Sequence, residues 1–261
     1  MRNNFFSTKN KTMLGVIASL LIISGITAAR NWPVVKYEAR LLNIKLFQSG
    51  QIAGGSITQL PAVYHRQEHS LSCEIASLKM ALSVYGLDVP ESELIQKLNF
   101  DSTPRSSNSW GDPYQGFVGS IDGKMLGDGY GVYWDPIAAV GNEYLKAEVK
   151  KFTAQDLARE LADGRPVVSW GFSGRGKKVS WTTPDGKTIS AINGEHARTI
   201  VGFTGSVDSP TSFIIMDPIY GKLHWRTKDL MNNWAPFGNM GVVIYPRLAH
   251  SRESGNLSRA Y

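Results

Sequence analysis

The segment QEHSLSCEIASLKMALSVYG, from Gln67 to Gly86, decides how the rest of the chain is read. Ile75, Leu78, Leu82 and Tyr85 recur at helical spacing, so residues 73–85 are expected to form a helix with one face in the core. Ser70 and Ser72 stand where an N-cap is wanted, and Gly86 stands where the helix must stop. Downstream, Pro90 opens a second helical pattern carrying Leu94, Ile95 and Leu98. A third helix is expected over 154–163, with Thr153 as cap, Asp156 three positions on, Leu157 and Leu161 inward and Gly164 at the end. The period then changes to that of strands. Pro166 to Phe172, a polar hairpin around Pro184-Asp185-Gly186, Ala197 to Phe203, Ser212 to Met216 and Gly241 to Tyr245 read as extended, with a short helix at Thr227 to Trp234. N-terminal helices followed by a mainly antiparallel sheet give an α+β fold in one domain.

The 261 residues are 42% hydrophobic and 19% charged, a globular balance too apolar for a disordered chain. The net charge of +6 suggests a nucleic-acid partner until it is placed along the chain. Residues 1–45 hold seven Lys/Arg against Glu38, and residues 247–261 hold three against Glu253. Between them, residues 46–246 carry 18 basic and 20 acidic side chains, so the folded part has no field that would draw in nucleic acid.

Met13 to Ala29 (MLGVIASLLIISGITAA) is an uncharged, mostly apolar run of 17 positions preceded by Arg2, Lys9 and Lys11. Upstream cations orient such a segment so that the rest of the chain crosses the membrane. Residues 1–29 are therefore expected to be a cleaved signal peptide or a retained transmembrane anchor, and the rest extracytoplasmic. Residues 30–56 read as a linker, with a Gly-rich end at Ser49 to Ser56, and 248–261 as a disordered polar tail.

Cys73 has no second cysteine to pair with, so the fold must stand on its core. Such a thiol is either an inert core residue or one kept for its chemistry. At a helix start, backbone N–H groups and the dipole favour a thiolate. The thiolate in turn needs an imidazole, the imidazole an acceptor that orients it, and a tetrahedral intermediate a donor at its oxyanion. Of the five histidines, His65 and His69 lie four apart before the helix without a third metal ligand in view. His224 sits on a strand-like stretch and His250 in the tail. His196 opens the apolar run Ala197 to Phe203, and 21 positions on Asp217 closes the strand Phe213 to Met216 before Pro218. Two neighbouring strands can present His196 and Asp217 side by side at one edge of a sheet.

Gln67 six positions before Cys73, His196 at a strand start and Asp217-Pro218 after the next strand resemble the papain-like cysteine peptidases of family thirty-nine. That family holds the bacteriocin-processing domains of exporters and a stand-alone secreted branch, and the second is the better match here. The resemblance implies a papain-like domain over 57–247. In it Cys73 is the nucleophile, His196 the general base, Asp217 the orienting acid and Gln67 the oxyanion donor. It also implies a peptide or protein substrate, no cofactor and no metal, and a monomer tied to the membrane only if the N-terminal segment is retained. The same acyl-enzyme would serve a transpeptidase, and a silent peptide-binding module could occupy the same scaffold. Glu74 departs from the pattern, since many relatives carry a small residue after the nucleophile, and a charge there would narrow the cleft or unsettle the thiolate. The 101–135 segment exceeds what the compact exporter domains need, so their double-glycine leader specificity is not carried over.

Glu195 reads as solvated, and Arg198 as an outward residue on an alternating strand. Residues 101–135 read as a long irregular loop. Its aromatics, Trp110, Tyr114, Phe117, Tyr130, Tyr133 and Trp134, would either line a cleft or hold the loop down as a mini-core. Asp112, Asp122, Asp128 and Asp135 match no EF-hand spacing.

Overall fold

The computed structural model describes residues 57–246. The apolar N-terminal run, the linker and the polar tail lie outside the described residues. Alternating and continuous apolar runs assemble a seven-stranded antiparallel sheet. Its strands are β1 (Thr58–Gln59), β5 (Ala147–Lys151), β6 (Val167–Phe172), β9 (Glu195–Gly205), β10 (Pro210–Asp217), β11 (Gly221–Arg226) and β12 (Met240–Ile244). They run in the order β11-β10-β9-β6-β12-β5, with β1 laid against β9. Every residue of β9 from Glu195 to Phe203 is buried, as expected of a central strand covered on both faces.

The helices are α1 (Cys73–Ser83), α2 (Glu91–Lys97), α3 (Trp134–Asn142), α4 (Ala154–Ala162) and α5 (Thr227–Trp234). Helix α1 packs on β9 and is buried along almost its whole length. Thr199 Oγ1 donates to the Ser77 carbonyl at 2.6 Å, which fixes α1 over the odd-numbered side chains of β9. Arg198, its neighbour, reaches Asn233 of α5 on the opposite face. The cap of α4 is the box its sequence encodes, with Thr153 accepting from the Asp156 N–H and Asp156 returning the bond to the Thr153 N–H. The cap of α1 differs from expectation: Ser72 makes no side-chain capping bond, and its hydroxyl exchanges hydrogen bonds with the backbone of His69 instead.

The 101–135 segment is more ordered than a loop. It contains β3 (Phe117–Gly119) and β4 (Gly129–Gly131), which with β2 (Phe100–Asp101) form a small sheet, and it runs into α3. Its aromatics form the mini-core. Trp110, Phe117, Tyr130 and Tyr133 are buried, and Tyr133 stacks on Trp134 at 5.1 Å. The polar hairpin forms as β7 (Lys178–Thr182) and β8 (Thr188–Ile192). It is tied to that mini-core by Trp181, whose Nε1 donates to the Gly111 carbonyl.

A candidate thiol–imidazole site

Three elements converge at one end of the sheet. Helix α1 delivers Cys73 at its first position, β9 delivers His196 near its start and β10 delivers Asp217 at its last residue. Pairing between β9 and β10 shifts register twice, between Pro210 and Ser212 and between Ile214 and Ile215, and the two shifts offset each other. In the resulting register the Asp217 carboxylate lies 3.0 Å from Nε2 of His196 through either oxygen.

Asp217 is fully buried, yet it stays charged because four groups donate to it. Besides His196, Arg198 Nε donates at 2.8 Å, and the N–H groups of Ile219 and Tyr220 at 2.8 and 3.0 Å. Burial alone would raise its pKa. The His196 hydrogen bond, the charges of His196 and Arg198 and the Ile219 N–H outweigh it and hold the carboxyl well below the usual range. Burial keeps His196 below its ordinary value against the opposing pull of Asp217, so the ring is neutral at physiological pH. With Nε2 engaged by Asp217, Nδ1 is the ring nitrogen left for the cleft.

Cys73, Gln67, His196 and Tyr220 border one cleft of about 150 Å³, and Leu71, Met125 and Tyr130 supply apolar wall. The Ala197 N–H points at Cys73 Sγ from 3.4 Å, and the thiol donates to Glu74 Oε2 at 3.3 Å. Burial, then Glu74 and Glu195, push the thiol well above its usual value, and the Ala197 N–H offsets only part of this. The helix start is expected from sequence to lower the thiol; burial first, and then the two carboxyl groups, act in the opposite direction. Gln67 is at the cleft, but its Nε2 group donates to the carbonyls of His69 and Ser70 at 2.8 and 3.0 Å, and Oε1 is buried without a partner. To serve an oxyanion, the amide must release one of those carbonyls.

Two residues at the site differ from the sequence-based expectation, and Glu74, flagged there as a charge beside the thiol, is found next to it. Glu195 is buried rather than solvated, with neither carboxyl oxygen hydrogen-bonded. Arg198 faces inward, pairs with Asp217 and lies 4.8 Å from the Trp225 ring. Glu74 is buried and accepts the Val132 N–H at 2.7 Å. The available signal for Arg198 was an arginine inside an apolar run, whose cost of burial demands an anion such as Asp217.

Two groupings among the described residues bring three metal-type donor atoms within 4.8 Å: His65 with Glu68 and Glu91, and Cys73 with Glu74 and Glu195. The first is explained by its own bonds, His65 Nε2 lying 2.6 Å from Glu91 Oε2 while Glu91 accepts the Glu68 N–H. His69 instead meets Asp122, at 2.8 Å, and His224 is exposed on β11.

A similar fold occurs in a solved structure. A provisionally assigned C39-like peptidase from Bacillus anthracis superposes with a TM-score of 0.63 at 22% identity, covering 74% of this chain and 98% of its own. A double glycine motif protease from an AMS/PCAT transporter, solved with its leader peptide, gives a TM-score of 0.41 at 14% identity, covering 75% of this chain and 96% of its own. In sequence, uncharacterized protein YvpB of Bacillus subtilis (strain 168) is 28% identical over 180 residues, 66% of this chain and 68% of that protein. The model of the Peptidase_C39-like family matches residues 59–242, a span that takes in α1, β9 and β10. A helix-borne cysteine and a strand-borne histidine thus border one cleft within the span this family model matches, and the chain belongs to the Peptidase_C39-like family.

Proposed function

We propose that this chain is an extracytoplasmic cysteine peptidase. The observation that carries the reading is the Asp217-held His196, with Nε2 occupied and Nδ1 left for the cleft that Cys73 also borders. In the reaction, Cys73 passes its proton to His196 and attacks a peptide carbonyl. The backbone N–H of Cys73 and the Gln67 amide, released from one of its carbonyl partners, hold the oxyanion. The imidazolium then protonates the leaving amine, and water hydrolyses the acyl-enzyme with His196 as base. Asp217 keeps the ring oriented and stabilises its charged form, and Arg198 keeps Asp217 ionised. The uncharged run Met13 to Ala29 behind Arg2, Lys9 and Lys11 supports export.

Purified protein profiled against a peptide library is expected to cleave a subset of sequences, and Cys73→Ala to cleave none. Cleavage that survives Cys73→Ala, or none by the wild type, overturns the reading. The raised thiol favours one other reading, a silent peptide-binding module. In that case iodoacetamide would leave Cys73 unmodified under native conditions while library peptides still bind.

A further inference from the structure

Beside the thiol lie two carboxyl groups that the scheme above does not use. Glu74 is wholly buried and Glu195 is 4% exposed. One donor atom from each and the sulfur of Cys73 all fall within 4.8 Å of one another. Glu74 is aimed: Oε1 takes the Val132 N–H at 2.7 Å, and this turns Oε2 to the sulfur at 3.3 Å. Space for the pair depends on Gly131, where a Cβ would stand 2.5 Å from Glu74 Oε1 and 2.9 Å from Glu195 Oε2.

The groups around the pair do not neutralise it. Strand β9 contributes Arg198, which is committed to Asp217 at 2.8 Å, and the neutral His196. Strand β10 contributes the Asp217 charge, and α1 the thiol itself. From β4 and the turn into α3 come the hydroxyls of Tyr130 and Tyr133, which bond each other at 2.9 Å. Two carboxylates this close in a dry interior do not both ionise near neutral pH. Glu195, lacking any hydrogen bond, takes the first proton.

We infer that Glu74 is a further catalytic residue, whose carboxylic-acid form donates its O–H to the Cys73 sulfur after that sulfur has passed its proton to His196. The inference rests on Cys73 being the nucleophile. The thiol proton moves to Nδ1 of His196, no other bond breaks, and the Glu74 proton is shared with the sulfur rather than transferred. When Glu74 is ionised the bond runs the other way, from S–H to carboxylate, and the thiol stays neutral. Burial raises Glu74 to about 7, in line with a change of state close to neutrality, and burial together with Glu74 lifts Glu195 well above its ordinary value. Acidification through that point removes the negative charge beside the sulfur and adds a donor in its place. The reactive thiolate therefore becomes more abundant as pH falls, opposite to a free thiol.

The test is the rate of Cys73 alkylation by iodoacetamide, an uncharged reagent, on the full chain between pH 5.5 and 8. The wild type is expected to react roughly tenfold faster at the acid end, the gain of one charge-assisted bond to sulfur. Glu74→Gln, neutral at every pH and still a donor, is expected to react fast throughout with a flat profile. Glu195→Gln is expected to keep the wild-type transition. A wild-type rate that is flat or rises with pH overturns the role of Glu74 while leaving Cys73 reactive and the peptidase reading intact. A transition lost in Glu195→Gln but kept in Glu74→Gln overturns the assignment to Glu74. A thiol unreactive across the range overturns both readings.

Discussion

Four donors on one carboxylate make Asp217 the most constrained side chain of the site. Asp217→Asn replaces an acceptor with a group that must present N–H to at least one donor. It is expected to lower kcat by roughly 10²- to 10⁴-fold, through loss of ring orientation and of charge opposite the imidazolium. Gln67→Ala should lower kcat by about 10²-fold with KM little changed, the mark of an interaction made mainly in the transition state. Steady-state kinetics on one cleaved peptide separates the two. The sequence made Cys73, His196 and Asp217 legible because each ends or begins an element beside a local signal: a helix onset, an apolar run, an Asp-Pro turn. Glu195 and Arg198 were not legible. Solvated and outward-facing readings depend on one strand face being wet, and β9 is covered on both.

Among the elements, α1 and β4 approach closely at Gly131. Gly131 adopts a φ of +139°, and its missing Cβ is the space that Glu74 and Glu195 occupy. Gly131→Ala is expected to cost on the order of 1–3 kcal/mol and to lower activity, because either the backbone or the Glu74 carboxyl must move. Denaturant melts read the first effect and alkylation of Cys73 the second. By contrast, Thr153→Ala at the cap of α4 should cost about 1 kcal/mol and leave activity unchanged. Helix α4 was legible because its cap, period and terminal glycine agree. Strand β5 was not, since AEVKK is an edge strand whose lysines suit an unpaired border better than a propensity pattern. Helix α3 opens on WDP, a start that aromatic and loop composition concealed.

For the whole molecule, buried acids make stability depend on pH in two opposed directions. Glu74 and Glu195 bind protons more tightly folded than unfolded, so their contribution is present in acid and is lost as pH rises toward and beyond about 7. Asp217 binds its proton less tightly folded, so its contribution is present at neutrality and is lost as pH falls below the ordinary carboxylate range. His196, neutral when folded, adds to the loss on the acid side. The melting temperature is expected to peak in acid, close to the ordinary carboxylate range, and to decline as pH rises from there through about 7, and Glu74→Gln should flatten the decline without touching the acid limb. Calorimetry across that range checks the sign.

The two register shifts between β9 and β10, one between Pro210 and Ser212 and one between Ile214 and Ile215, offset each other. Met216 therefore pairs with Thr199 as it would in an unbroken ladder begun at Pro210 and Gly205. Losing one of the two kinks alone would leave strand order and core composition untouched, yet would swing the acidic group behind the histidine toward the wrong layer. Parity, as much as chemistry, thus separates a working copy of this domain from an idle look-alike.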